Sequence, residues 1–400
     1  MRQLSYVAED GEIWLDDLDS DRRWPVGWTA PGPGEQIVCN WPTWEQNGSR
    51  LAYFEYAVAR DEIRRTAVVV AEAESSERVS LRLEAGRAPI YMCWSPNGSR
   101  LAVLVQDGTD LELLVLDPTG NAPPIAAAQG APLYFAWLPD SSGLIANVGV
   151  QTLNAPRPRL LWVTLDGDQP QQRLLEAQPA AGFRAPSWST ALHGAVVAVE
   201  RPVGVEIAVQ TSPDAEAETI AETGNAPAFL WNSEGDKLAF ASGGRQGNAL
   251  ASGIRLYRPA DGSIQQLTDE PLIAFFWCPD GKRIVWLSGE SDSRAVRLRI
   301  ADTEGGPASE LGWLRPSRDL FLLLGHFDQY AQSATLFSPA GDEIVLAASR
   351  AKELENGSVP TVRQILIRPL SDGRKETSPS RGRLAFWRPS GPGPWQSKDG

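Results

Sequence analysis

The chain is poor in the residues on which most protein chemistry relies. It has only two histidines, His193 and His326, far apart in sequence. That scarcity limits histidine-based metal sites and acid–base catalysis. Its three cysteines, Cys39, Cys93 and Cys278, form no C-x-x-C pair and no metal-ligand spacing. An odd number fits poorly with a complete disulfide framework, so reduced, buried thiols in a reducing compartment are expected. A long apolar run is also missing near the N-terminus, where Glu9, Asp10 and Glu12 interrupt the longest stretch. The segment lacks the core of a signal peptide or membrane span, and the expectation is a cytoplasmic protein with no direct membrane insertion. Cations are in deficit, with 37 Lys and Arg against 50 Asp and Glu, a net charge of −13. Nucleic-acid binding is disfavoured, because it needs clustered Lys and Arg to neutralise phosphates.

Tryptophan, glycine and proline, by contrast, are plentiful, at 15, 36 and 31 residues. Seven tryptophans and one phenylalanine recur in register. Trp44 leads EQNGSRLAYF, Trp94 leads SPNGSRLAVL, Trp137 leads LPDSSGLIAN and Trp188 leads STALHGAVVAV. Trp231 leads NSEGDKLAFA, Trp277 leads CPDGKRIVWL, Phe337 leads SPAGDEIVLA and Trp387 leads RPSGPG. Successive anchors lie 50, 43, 51, 43, 46, 60 and 50 residues apart. Four short strands with their connections occupy about 40–50 residues, whereas leucine-rich, ankyrin and TPR repeats are shorter. Each unit has a local logic. An apolar strand ends at the anchor, Pro and Gly reverse the chain, and a β-branched strand such as Leu101–Leu104 or Ile284–Leu287 returns. The anchor aromatics are expected to fill the wedge between neighbouring units.

The repeat resembles the TolB-type, WD40-like β-propeller family, whose signature is a W-S-P-D-G turn followed by Leu or Ile and a small apolar run. Trp94, Ser95, Pro96, Gly98 and Leu101 match it, as do Trp277, Pro279, Asp280, Gly281 and Ile284. Pro139 and Asp140 match in the third copy and Pro339 and Gly341 in the seventh, while Gly48 and Gly235 keep the turn without its proline. The fourth copy departs most, with Ser189–His193 in place of the turn. The resemblance covers essentially the whole chain and implies an all-β fold, a single β-propeller of four-stranded blades. The termini suggest its closure. Arg383–Trp387 is a first strand with nothing after it. Leu4–Val7, Ile13–Leu15 and Arg22–Pro25 are a second, third and fourth strand lacking a first. Joined, they make a composite blade that removes exposed edges and gives eight blades, or seven if the fourth or seventh copy is not a true blade. Residues 1–389 are then the propeller, and Ser390–Gly400 is a flexible Pro/Gly-rich tail with Trp395 as a docking candidate.

The interval between Trp277 and Phe337 holds the one clear insertion. Ser317 is placed to cap a helix over 317–330, with Asp319 in its first turn. Leu320, Leu323, Leu324 and Phe327 fall on one face. His326 and Asp328 near its end, beside Gln329 and Tyr330, are expected to cap the helix and tie it to the adjacent strand. They are also candidate partner-binding residues, together with Arg245 and Gln246 in the connection Ser242–Ser252.

Known catalytic and binding motifs are missing. The acidic cluster Asp16, Asp17, Asp19 and Asp21 lacks the EF-hand order and reads as a solvated hairpin turn. Asn47 and Asn97 open glycosylation-like sequons that coincide with the repeat's own turn, and Asn356 opens a third. The glycines of Ser242–Ser252 lack the G-K-[ST] ending of a phosphate loop. Prolyl-oligopeptidase-type peptidases carry related propellers but need a G-x-S-x-G elbow, and Trp231 stands where its first glycine belongs. The family's eponymous periplasmic proteins have an N-terminal α/β domain that this chain lacks. The expectation is a non-catalytic protein-interaction scaffold or a subunit of a larger complex, with no cofactor. The alternative is an enzyme or a small-ligand or metal binder using the central channel.

Overall fold

A computed structural model describes residues 2–391 apart from 27–28, 76, 151–156, 168, 176–179, 183, 203, 226, 243–250, 290–294, 351–362 and 372. The chain opens with β1 (Gln3–Val7), β2 (Ile13–Asp17) and β3 (Arg22–Pro25). Five four-stranded units follow. They are β4 (Gln36–Trp44), β5 (Arg50–Ala59), β6 (Glu62–Glu72) and β7 (Arg78–Arg82), then β8 (Ala88–Trp94), β9 (Leu101–Asp107), β10 (Asp110–Leu116) and β11 (Ile125–Gln129). Next come β12 (Leu133–Trp137), β13 (Gly143–Val150), β14 (Arg157–Thr164) and β15 (Gln171–Leu174), and β16 (Ser187–Ser189), β17 (Gly194–Arg201), β18 (Gly204–Gln210) and β19 (Glu218–Thr223). The fifth is β20 (Ala228–Trp231), β21 (Leu238–Ser242), β22 (Ala251–Arg258) and β23 (Ser263–Leu272). The chain then forms β24 (Ala274–Trp277), β25 (Arg283–Gly289), β26 (Val296–Asp302) and β27 (Ser309–Pro316). After two helices come β28 (Glu343–Arg350), β29 (Gln364–Pro369), β30 (Thr377–Arg381) and β31 (Leu384–Trp387).

Each of the five units is one antiparallel sheet in chain order. Hydrophobic content sets the radial order of strands. β12 and β13 are almost wholly buried, while β7 alternates between exposed and partly exposed residues. The apolar strands therefore face protein on both sides, and the fourth strand meets solvent. A sixth four-stranded sheet is composite, with order β3-β2-β1-β31, and Leu4 faces Trp387 across it. The fourth repeat forms a sheet despite its irregular turn, where exposed His193 takes a φ of 49°. The expected hairpin turn at the acidic cluster is only partly solvated. Asp16 lies buried in β2 and accepts from Arg23 and Ser380.

The last two repeats merge into one seven-stranded sheet, β24 to β30, because β27 pairs directly with β28. Phe337 keeps only an isolated bridge to Ile344. The helical insertion explains this, since it draws the lead-in to Phe337 away from the sheet and leaves β28's end free to pair with β27.

The anchors lock one sheet to the next. The indole N–H of Trp94 donates to Thr43 O at 3.0 Å, that of Trp137 to Cys93 O at 3.1 Å and that of Trp277 to Leu230 O at 2.9 Å. Each acceptor is the residue just before the previous anchor. The turns interlock as well. Arg50 Nη2 donates to Gly98 O at 2.6 Å, Arg283 Nη2 to Gly341 O at 3.0 Å and Arg388 Nε to Gly48 O at 2.7 Å. At Gly98, φ is 71° and a Cβ would collide with the Glu45 carboxylate that holds Arg50. Glycine therefore allows both the turn and the close approach. Trp94→Phe should cost about 1–3 kcal/mol, because it strands the buried Thr43 carbonyl. Trp387→Phe, whose buried indole N–H has no partner, should cost less. Urea midpoints of the two variants check the difference.

Candidate functional site

The insertion starts as the sequence dictates. Ser317 Oγ accepts from Leu320 N at 3.0 Å and caps α1 (Arg318–Gly325), with Asp319 in the first turn. Leu320, Leu323 and Leu324 are buried, and Phe321 and Leu322 on the opposite face are exposed. The expected single helix is in fact broken at His326, whose φ of −130° and ψ of 37° end α1 before α2 (Phe327–Tyr330) begins. Gly325, a weak helix former, immediately precedes the break. The kink turns residues 327–330 inward.

This segment reaches the first strands of the surrounding sheets, or the residues leading into them. Phe327 packs on Phe275 and Phe276 of β24, with ring centroids 4.9 and 6.0 Å away. Tyr330 meets Trp41 at 4.7 Å and Tyr91 edge-on at 4.9 Å. Trp41 takes a left-handed φ of 58° at a register shift in β4, a strained geometry in contact with the insertion. Gln329 acts as a strand partner through its side chain. Its Oε1 accepts from Phe135 N and its Nε2 donates to Phe135 O, both at 2.9 Å. Tyr91 donates its hydroxyl proton to Gln329 O at 2.9 Å. Asp328 Oδ2 accepts from Ala185 N at 3.1 Å, and Ser317 Oγ donates to Arg383 O. The insertion is thus an internal plug.

That placement agrees with the expected tie of this segment to neighbouring strands. Asp328, Gln329 and Tyr330 are buried, and all three side chains are engaged with strands remote in sequence. Among these four residues only His326 stays open to solvent, and it makes no side-chain cap; its Nδ1 lies 3.1 Å from the Tyr134 hydroxyl. Local burial lowers the His326 pKa, helped by Arg184 and opposed by Asp328. That lowering favours the neutral ring, and its tautomer decides whether Nδ1 accepts from the Tyr134 hydroxyl or donates to it. Arg245, Gln246, Asn356 and Trp395 lie outside the described residues. Gln329→Leu should cost about 1–3 kcal/mol, because it leaves Phe135 N unpaired in the interior while Phe135 O keeps the amide of Gln332 at 3.0 Å. Thermal or urea unfolding measures it directly.

Where the anchors end, a bowl of about 570 Å³ opens against the plug. Trp44, Trp94, Trp231, Trp277 and Phe337 line it, residues 331–336 cross it, and Ser390 and Gly391 stand at its edge. Among the described residues of the lining, Asp328 alone carries a charged side chain. It is 2% exposed, and its Oδ1, itself buried, has no hydrogen-bond partner among the described residues. Gln46 Oε1, also in the lining, has none either. The thiols of Cys93 and Cys278 are pushed up to about 12 by burial, so they add no charge at neutral pH. Among the described residues no group of three or more His, Cys, Asp or Glu side chains is placed to hold a metal ion, and no helix is long and apolar enough to cross a membrane. The anchor spacing marked the walls of this bowl in the sequence, whereas Asp328 stood out there as a helix-end and candidate partner-binding residue with nothing to place it beside those walls.

No protein-family model matches the chain, and no curated protein does. Solved structures do. A prolyl endopeptidase aligns with a TM-score of 0.56 at 14% identity over 88% of this chain, which spans 50% of that chain. A eukaryotic initiation factor aligns with a TM-score of 0.52 at 12% identity over 97% of this chain and 98% of that one. The β-propeller domain of the trilobed protease from Pyrococcus furiosus aligns with a TM-score of 0.51 at 14% identity, over 86% and 98%. The fold is a β-propeller, as the repeats implied. Identities this low speak to fold and not to activity.

Proposed function

We propose that the protein is a non-catalytic recognition platform, an eight-bladed ring that receives a protein partner in the aromatic bowl. Eight is the count obtained when the seven-stranded sheet is divided at β27 and β28, with Phe337 standing for the missing first strand. Contacts on both flanks of the composite sheet support closure. Arg388 reaches Gly48 on one side, and Arg2 pairs with Glu343 on the other. Residues 1–389 then form one domain. The free thiols of Cys39, Cys93 and Cys278 fit a reducing, cytoplasmic setting.

The observation that carries the reading is the bowl itself. It is concave, walled by indoles from four repeats and floored by a plug, so it can hold a ligand without rearranging. Tryptophans in desolvated pockets are where interface energy concentrates. Among the described residues of α1, Phe321 and Leu322 are the exposed large apolar side chains.

A bowl-filling variant tests this. Ser233→Trp, shown by thermal melting to be folded, should reduce recovery of a stoichiometric partner from the native host at least tenfold, while Leu322→Glu on α1 should leave it unchanged. The reverse pattern would move the partner to the helix face and refute the bowl.

A further inference from the structure

We infer that the bowl takes a lysine side chain of a partner polypeptide, with Asp328 as its counter-ion. This rests on the bowl being the recognition site and adds the chemistry of what enters it. Removing a carboxylate from water is costly unless it is paired and fully hydrogen-bonded. Asp328 is 2% exposed and has one of its two oxygens satisfied, by Ala185 N. The other oxygen has no partner, and no cation forms an ion pair with the residue among the described side chains. Arg184 is close enough to act on His326 and Tyr134 electrostatically, yet it forms no ion pair with Asp328. The rest of the lining, among the described residues, carries no charge. A lone carboxylate in an otherwise uncharged aromatic bowl is complementary to one positive charge.

The geometry favours ammonium over guanidinium. A guanidinium recognises carboxylates through a planar fork that uses two oxygens, and Asp328 offers one. An ammonium is a compact charge that needs a single strong acceptor and takes further acceptors where they lie. Gln46 Oε1 is such an acceptor in the same lining. The four-carbon stem of lysine suits apolar walls, and an indole face attracts the charge at its tip; Arg50 and Arg388 already lie over Trp94 and Trp44, which leaves Trp231 and Trp277 to do so. A peptide segment presenting lysine thus satisfies both the walls and the floor.

Tryptophan fluorescence of the full chain reports occupancy, since four indoles line the site. The probes are N-acetyl-lysine methylamide, its norleucine counterpart with the same stem and no charge, and the side-chain-acetylated lysine compound. The lysine probe should bind about tenfold more tightly than either neutral probe at low salt, the difference expected of a desolvated charge pair worth about 1.4 kcal/mol. Asp328→Asn, which can still accept from Ala185, should abolish that ratio and leave norleucine binding unchanged. Equal binding of all three probes would refute the lysine inference and leave the bowl standing. No binding by any probe would refute the bowl as a recognition site, and the lysine inference with it. The acetylated probe keeps the test valid if Asp328→Asn does not fold, because there the charge is removed from the ligand.

Discussion

Phe327→Ala is expected to lower unfolding free energy by about 3–5 kcal/mol, the range for truncating a fully buried aromatic. Phe327 is 1% exposed and wedges against Phe275 and Phe276. The cavity left behind has little means of collapsing, because the neighbouring plug residues are fixed by hydrogen bonds. Gln329 is bound to both backbone groups of Phe135, and Asp328 to Ala185. The lost stability should appear as a lower urea midpoint with an unchanged slope. Phe321→Ala, at a position 52% exposed on the same insertion, should fall within about 0.5 kcal/mol of the parent. Equal effects at the two positions would mean that residues 327–330 do not occupy the interior.

The second large effect is expected in alkali. Burial pushes the Cys93 and Cys278 thiols from their ordinary value of 9 up to about 12. The unfolded chain therefore loses these protons first, and the folded state holds them until higher pH. Their contribution to stability is complete below pH 9 and declines as pH rises from 9 towards 12. Each buried thiol removes roughly 1.4 kcal/mol per pH unit in that window, so the pair should cost about 4 kcal/mol at about pH 10.5. Cys39, Tyr56 and Tyr134, also pushed up to about 12 by burial, act in the same direction. Denaturation curves at about pH 8 and 10.5 measure the loss, and a Cys93→Ala, Cys278→Ala double variant should recover much of it. If the two curves coincide, the thiols are not held away from water as the structure has them.

The contrast between the sheets and the plug shows which physics a sequence displays openly. The turn after each anchor is local. Glycine, proline and asparagine within five residues decide it, so Trp94 to Leu101 could be recognised from eight adjacent letters. The terminal strands were legible for a related reason, because an incomplete set of strands at each end implies the other. The cap at Ser317 and the buried face Leu320, Leu323 and Leu324 are local too, and both are present. What the helix packs against is not local. Its partners are at 41, 91, 135, 185 and 275, on strands separated by tens of residues, and nothing in residues 317–330 encodes their arrangement. The polar side chains at its end could be expected to tie it to a strand, but which strands they reach is set elsewhere in the chain. Asp16 failed for a similar reason. Its partner Ser380 arrives from the far end of the chain and draws it out of solvent.

The pairing of β1 with β31 also determines how the molecule bears load. Leu4 faces Trp387 and Val7 faces Leu384, so the start of one strand sits beside the end of the other. A pull entering at Gln3 and leaving at Trp387 acts across the strands and not along them. Their hydrogen bonds then meet the force one after another, as teeth of a zip do, and never share it as a set. Tension drawn through the two ends would peel the composite sheet at modest force, while the sheets closed within a single repeat, reached only through that seam, stay shielded until it has parted.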